Sequence, residues 1–227
     1  MADTRTVSRP KTVGVLMLET RFPRLQGDIG NPNGFGFPLL YRTVAGATAN
    51  RVVIEQAPEL LEPFILAGHE LVADGAELIT TSCGFLAYFQ KELAEALPVP
   101  VYSSALLMMA DLQARYGRGA VGILTISKAA LGPDVLRAIG IDTETPIGSM
   151  PTGCEFYSAI MEDRPCFDRD ACEADLTGAV KDLTDRHPEV RALLLECTNM
   201  APHLRAMSSF SDRPVFALND LLTQVAE

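Results

Sequence analysis

Two halves of this chain spell the same short words in the same order. Val13-Gly14-Val15-Leu16 is answered by Val121-Gly122-Ile123-Leu124, the run ending at Cys83 (LITTSC) by the run ending at Cys197 (LLLEC), and Pro100-Val101-Tyr102 by Pro214-Val215-Phe216. Each cysteine precedes its Pro-Val-aromatic word by 17 residues, and the glycine-to-cysteine spacing is 69 residues in the first half and 75 in the second. Three matched words at near-equal spacing mark a duplicated supersecondary unit, which confines the chain to folds made of two similar lobes.

The unit itself reads as α/β. Short apolar runs at residues 12–18, 77–81, 99–102, 120–125 and 191–196 alternate with helical stretches at 58–73, 85–96, 105–116, 134–138 and 170–186, the pattern of βαβ crossovers and parallel sheets. The expected architecture is two pseudo-symmetric lobes, each a parallel sheet flanked by helices, with a site in the cleft between them. Residues 1–105 plus 212–227 are assigned to the first lobe and 106–211 to the second. A strand near Val215 and a helix from about Asp220 are expected to return and complete the first. The Gly-, Pro- and Asn-rich stretch from Glu19 to Tyr41, interleaved with Phe22, Phe35 and Phe37, predicts an ordered loop covering the site.

Composition narrows the function classes. Apolar residues make up 48% of the 227 and charged residues 21%, ordinary for a soluble globular chain. The longest apolar run, Ala105 to Ala110, is far too short to span a bilayer. Residues 1–11 carry Arg5, Arg9 and Lys11 without an apolar leader, so a cytoplasmic location is expected. A net charge of −10 argues against nucleic acid and against an anionic membrane surface. Neither GxGxxG nor GxxxxGK[ST] occurs, and no CxxC or paired-histidine spacing suggests zinc, so no cofactor and no metal are expected.

Five cysteines, an odd number without framework spacing, make a poor disulfide scaffold. Cys83 and Cys197 stand apart from Cys154, Cys166 and Cys172. Each ends an apolar strand and precedes a helix, which in a parallel sheet is the carboxyl edge where ligands bind. The helix terminus is expected to lower the thiol pKa and attract a carboxylate. Duplication sets the two thiols on opposite walls of one cleft, as a two-base proton transfer requires.

SCGF (Ser82 to Phe85) and ECTNM (Glu196 to Met200), in duplicated α/β halves, resemble the aspartate/glutamate racemase superfamily, which also holds hydantoin racemases, maleate cis-trans isomerases and arylmalonate decarboxylases. The resemblance spans nearly the whole chain. It implies a cofactor-independent racemase or epimerase of an amino acid or related carboxylate, with Cys83 and Cys197 as the catalytic pair and a homodimer as the expected assembly. It also implies that Thr198 helps bind the substrate carboxylate and that Thr125 lines the pocket. Gly84, Phe85, Asn199 and Arg24 complete the candidate substrate-binding set. Amino-acid racemases of the group continue Cys-Asn-Thr after the first cysteine; here Gly84 and Phe85 follow, which points away from aspartate or glutamate themselves.

Other side chains carry weaker readings. Glu19 reads as a solvated loop carboxylate, Arg21 as a surface residue or carboxylate clamp, and His203 as a plain helical histidine, with no role for His69 or His187. A maleate-type isomerase or hydantoin racemase on the same fold, and a carboxylate-binding module without turnover, are the alternatives.

Overall fold

The computed structural model describes residues 9–227; Arg5, on which part of the no-leader expectation rests, lies outside the described residues. The first half runs β1 (Val13–Leu18), β2 (Leu39–Val44), α1 (Ala49–Val53), α2 (Leu61–Ala73), β3 (Leu78–Thr81), α3 (Gln90–Ala96), β4 (Val101–Tyr102) and α4 (Met109–Tyr116). The second runs β5 (Val121–Thr125), α5 (Pro133–Ala138), β6 (Ile147–Ser149), α6 (Glu155–Met161), α7 (Arg169–Arg186), β7 (Ala192–Leu195), α8 (Leu204–Phe210), β8 (Val215–Phe216) and α9 (Leu218–Ala226). The strands form two four-stranded sheets of identical order, β2-β1-β3-β4 and β6-β5-β7-β8, parallel throughout.

The matched words have a packing origin. β3, β5 and β7 are buried at every residue, and β1 at all but Met17, as expected when helices cover both faces of a parallel sheet. A Cβ on Gly14 would sit 2.6 Å from Ile79 Cδ1 and 2.9 Å from Ala76 Cβ; on Gly122 it would press at 3.1 Å on Leu183 and Val190. The glycines let a helix and its connection close onto the central strand, and the same need recurs in each half.

Several elements differ from the sequence expectation, the short helices α1 and α6, which it does not contain, among them. β2 and β6 are both missed, the first because it is a half-exposed edge strand following the long loop, the second because it is three residues long. The strand near Val215 does not join the first lobe: β8 pairs with β7, through Leu193↔Val215 and Leu194↔Phe216. Only α9 crosses back. The Lys11 amide and Nζ donate to the carbonyls of Ala226 and Val225, and Asn219 Nδ2 donates to Gly27 O. The crossing is reciprocal, because α4 leaves the first sheet and packs on β5 and β7.

Among the described residues no helix is long and apolar enough to cross a membrane.

Candidate active site

Both cysteines occupy the same local setting. Each follows the central region of its sheet and leads into a 3-10 turn, Gly84–Phe89 after Cys83 and Thr198–His203 after Cys197. The turns direct backbone amides at the sulfurs: those of Phe85 and Leu86 face Cys83, and that of Asn199 faces Cys197. Cys83 and Cys197 line one cleft with Leu18, Phe22, Arg24, Phe85, Ile126, Glu196 and Asn199 among its walls. The cavity left between them is about 20 Å³, room for a water molecule, so a substrate has to displace part of the cleft wall or of the loop over it.

The residues preceding the cysteines show what the duplication changed. Ser82 Oγ accepts from the Leu18 amide at the end of β1. Its counterpart Glu196, 1% exposed, faces the Ile126 amide at the end of β5 and accepts the Thr125 hydroxyl at Oε2, 2.8 Å away. One carboxyl oxygen thus does in the second half what a serine does in the first. The other, Oε1, has no partner. Among the described residues, four buried side-chain polar atoms lack a hydrogen bond, and two of them, Glu196 Oε1 and Arg24 Nε, belong to residues lining this cleft.

Burial sets the charge states. Desolvation pushes the Glu196 pKa up to about 8 against the hydrogen bonds of Thr125 and the Ile126 amide, so it is a neutral acid at pH 7. Cys83 is pushed up to about 12 by burial and by Glu196, against the pull of the Phe85 and Leu86 amides and of Arg24. Cys197 is raised well above the ordinary thiol value by burial, Glu196 and Cys83. The expected lowering of both thiols is therefore reversed, because loss of water outweighs the few amide donors of a short turn.

The long loop does cover the cleft. Asp163, at φ +53°, accepts from the Arg21 amide (2.5 Å), Arg21 Nε (3.0 Å) and the Phe22 amide (3.2 Å), strapping the loop to the second lobe. Inside it, Asp28 is 1% exposed and paired with Arg24 at 3.2 Å. Asn199 Nδ2 donates to Asp28, and Cys197 Sγ donates to Asn199 Oδ1. Asp28 and Glu196 are the residues the sequence reading passed over. Setting the two repeats side by side would have flagged Glu196, a carboxylate standing where the first half has Ser82; Asp28 sits among glycines and asparagines and reads as a turn residue.

The structure brings Cys83, Cys197, Phe85, Arg24 and Asn199 to the cleft wall. Thr198 and Thr125 stand behind it: Thr198 Oγ1 donates to Ser82 O at 2.9 Å, joining the lobes, and Thr125 holds Glu196. His203 is buried, interacts with Glu173 at 3.3 Å and faces a separate cavity, while Glu19 accepts from the Gly46 amide. Among the described residues no group of three or more His, Cys, Asp or Glu is arranged to hold a metal.

Gly84 serves the meeting of the lobes. A Cβ there would lie 2.1 Å from Glu196 O and 2.6 Å from Glu196 Oε1, a backbone collision that no rotamer relieves. Gly84→Ala is expected to lower the thermal midpoint by at least ~5 °C in a circular-dichroism melt. Glu196 gives a prediction of opposite sign. Its folded pKa of about 8 lies above its ordinary 4.5, so stability is fully present below pH 4.5 and is lost as pH rises towards 8, by on the order of ~4–5 kcal/mol. Glu196→Gln, which removes the ionisation, is expected to raise the midpoint at pH 8 by at least ~5 °C and to change it little at pH 4, by calorimetry at both values.

No protein-family model matches the chain. In solved structures, the fold is that of arylmalonate decarboxylase and the aspartate/glutamate racemases. A variant of arylmalonate decarboxylase in a sulfate-associated form superposes with TM-score 0.61 at 15% identity, covering 95% of this chain and 91% of the other. The aspartate racemase of Picrophilus torridus superposes with TM-score 0.56 at 16% identity, covering 95% and 94%. In sequence, the chain is similar to proteins named dimethylsulfoniopropionate lyase. The one from Durusdinium sp. clade D is 29% identical over 214 residues, 90% of this chain and 70% of that protein. Dimethylsulfoniopropionate lyase 3 of Emiliania huxleyi (strain CCMP1516) is 27% identical over 218 residues, 90% of this chain and 56% of that protein. The chain thus spans little more than half the length of some of these relatives.

Proposed function

We propose that this chain is a lyase that removes the proton next to a carboxylate with a cysteine thiolate and expels dialkyl sulfide from a β-sulfonio acid, with dimethylsulfoniopropionate as the substrate. The observation that carries the reading is the placement of Cys83 and Cys197 on one narrow, largely apolar cleft; the names of the sequence relatives direct it to a lyase. Cys83 is the base, since it has two amide donors and the Arg24 charge beside it, whereas Cys197 is more deeply buried and tied to Asn199.

The thiolate takes the α-proton, the freed electron pair forms the Cα–Cβ double bond, and the Cβ–S bond breaks with its pair going to sulfur. Neutral dimethyl sulfide leaves, acrylate remains, and the thiol returns its proton to solvent. A sulfonium suits this cleft for an electrostatic reason. Both thiols resist ionisation because they are buried, and a cation brought in by the substrate favours the thiolate. Phe85 offers ring surface to such a cation, while the Phe22 ring already carries the Arg24 guanidinium 4.6 Å from its centroid.

Racemisation is the second reading, favoured by the presence of two thiols rather than one. One experiment separates them: incubate the protein with dimethylsulfoniopropionate, and separately with single enantiomers of small amino acids in deuterated water. Dimethyl sulfide with equimolar acrylate supports the lyase. Loss of optical activity with α-deuterium uptake, and no dimethyl sulfide, supports the racemase.

A further inference from the structure

Two buried polar atoms on one cleft wall, both without partners, define a further site. Arg24 Nε is a donor by nature, its remaining nitrogens being spent on Asp28, Thr20 and Ser82. Glu196 Oε1 becomes a donor when the carboxyl carries its proton, and that proton belongs on Oε1, because Oε2 already accepts the Thr125 hydroxyl. A carboxylate needs two donors. We propose that Glu196 is a catalytic residue that stays an uncharged acid and, with Arg24 Nε, binds the substrate carboxylate, its hydrogen bond strengthening as the α-carbanion pushes charge onto those oxygens.

The position agrees with the role. Glu196 immediately precedes Cys197, its Oε1 packs against Gly84, which immediately follows Cys83, and it lines the same cleft as both thiols. The duplication shows that the carboxyl is more than structure, since Ser82 satisfies the equivalent strand end with a hydroxyl. A neutral acid in a dry site stabilises a developing oxyanion without opposing the thiolate beside it, whereas an ionised Glu196 would repel both thiolate and substrate. The charged and titratable groups around it are Cys83 and Cys197, with the Arg24–Asp28 pair in the cover loop and Tyr88 facing Cys83; β5 contributes only the neutral Thr125 and Ile126.

The assignment rests on the proposed α-proton abstraction, and its test separates the two. Propionate, a carboxylate that cannot react, is titrated into the protein by calorimetry from pH 6.5 to 9.5. In wild type the affinity is expected to be flat up to about 8 and to fall about tenfold per unit above it, as Glu196 ionises. In Glu196→Gln, whose amide still donates, it is expected to stay flat. Turnover is expected to remain within about tenfold of wild type in Glu196→Gln and to drop at least ~100-fold in Glu196→Leu. The assignment is overturned if wild-type propionate binding is absent at pH 6.5 or independent of pH, or if the Gln variant is as inactive as the Leu variant. If propionate binds with the expected pH dependence but no dimethyl sulfide is formed, the lyase reading fails and the acid assignment stands.

Discussion

Cys83→Ser is expected to lower kcat/KM for dimethylsulfoniopropionate by more than ~1,000-fold, because a serine hydroxyl in this cleft cannot be ionised near neutral pH and the other thiol on the wall, Cys197, is tied to Asn199 and held well above the ordinary thiol pKa. Cys197→Ser separates the chemistries. Elimination needs one base, and Cys197 contributes shape and a hydrogen bond through Asn199, so the loss is expected to be about tenfold. Racemisation needs both thiols, and the same substitution would then abolish turnover as completely as Cys83→Ser. The measurement is headspace dimethyl sulfide under subsaturating substrate for the three proteins side by side, with circular dichroism to confirm that each is folded. Equal and near-complete losses in the two variants would remove the one-base assignment of Cys83.

The pH profile carries the second large effect. In the proposed elimination the reactive form has a thiolate at Cys83 and a proton on Glu196, one proton fewer than the resting cleft. With Glu196 at about 8 and Cys83 at about 12, the first of the two protons is lost near pH 8. Activity therefore rises with pH, since the ionised thiol does the work and burial disfavours it. The logarithm of kcat/KM is expected to climb with unit slope between pH 6 and 8, about a hundredfold in all, and then to level because the pair shares a single proton across the interval to 12. A profile flat from pH 6 to 8 would mean that Cys83 is already ionised in the free protein.

The parts of this molecule legible in the sequence are those that duplication repeats. Gly14 and Gly122 are held by the same helix-to-strand contact, and Cys83 and Cys197 by the same strand-end geometry, so the halves could be matched word by word. What escaped lies where the halves diverge or where environment reverses a local rule. Glu196 resembles any acidic residue closing a strand until its burial is seen. Asp28 is one turn-former among many in the loop, and only the folded chain shows Arg24 and Asn199 closing on it. The thiol pKa values were misjudged because neighbouring amides are visible in sequence and exclusion of water is not. β8 was misplaced because the helix after it does cross over, and a strand of two residues has no pattern of its own to say where it pairs.

The reciprocal crossing of α4 and α9 has a mechanical outcome. Each half ends by bracing the other, and the Thr198 hydroxyl bolts the seam from within. A pair of lobes interlocked in this way does not swing open like a book to admit its ligand. The Glu19–Pro38 span is pinned instead from three sides, to Asp163 through Arg21 and Phe22, to Asn199 through Asp28 and to Asn219 through Gly27, so whatever reaches the sulfurs has that span to displace.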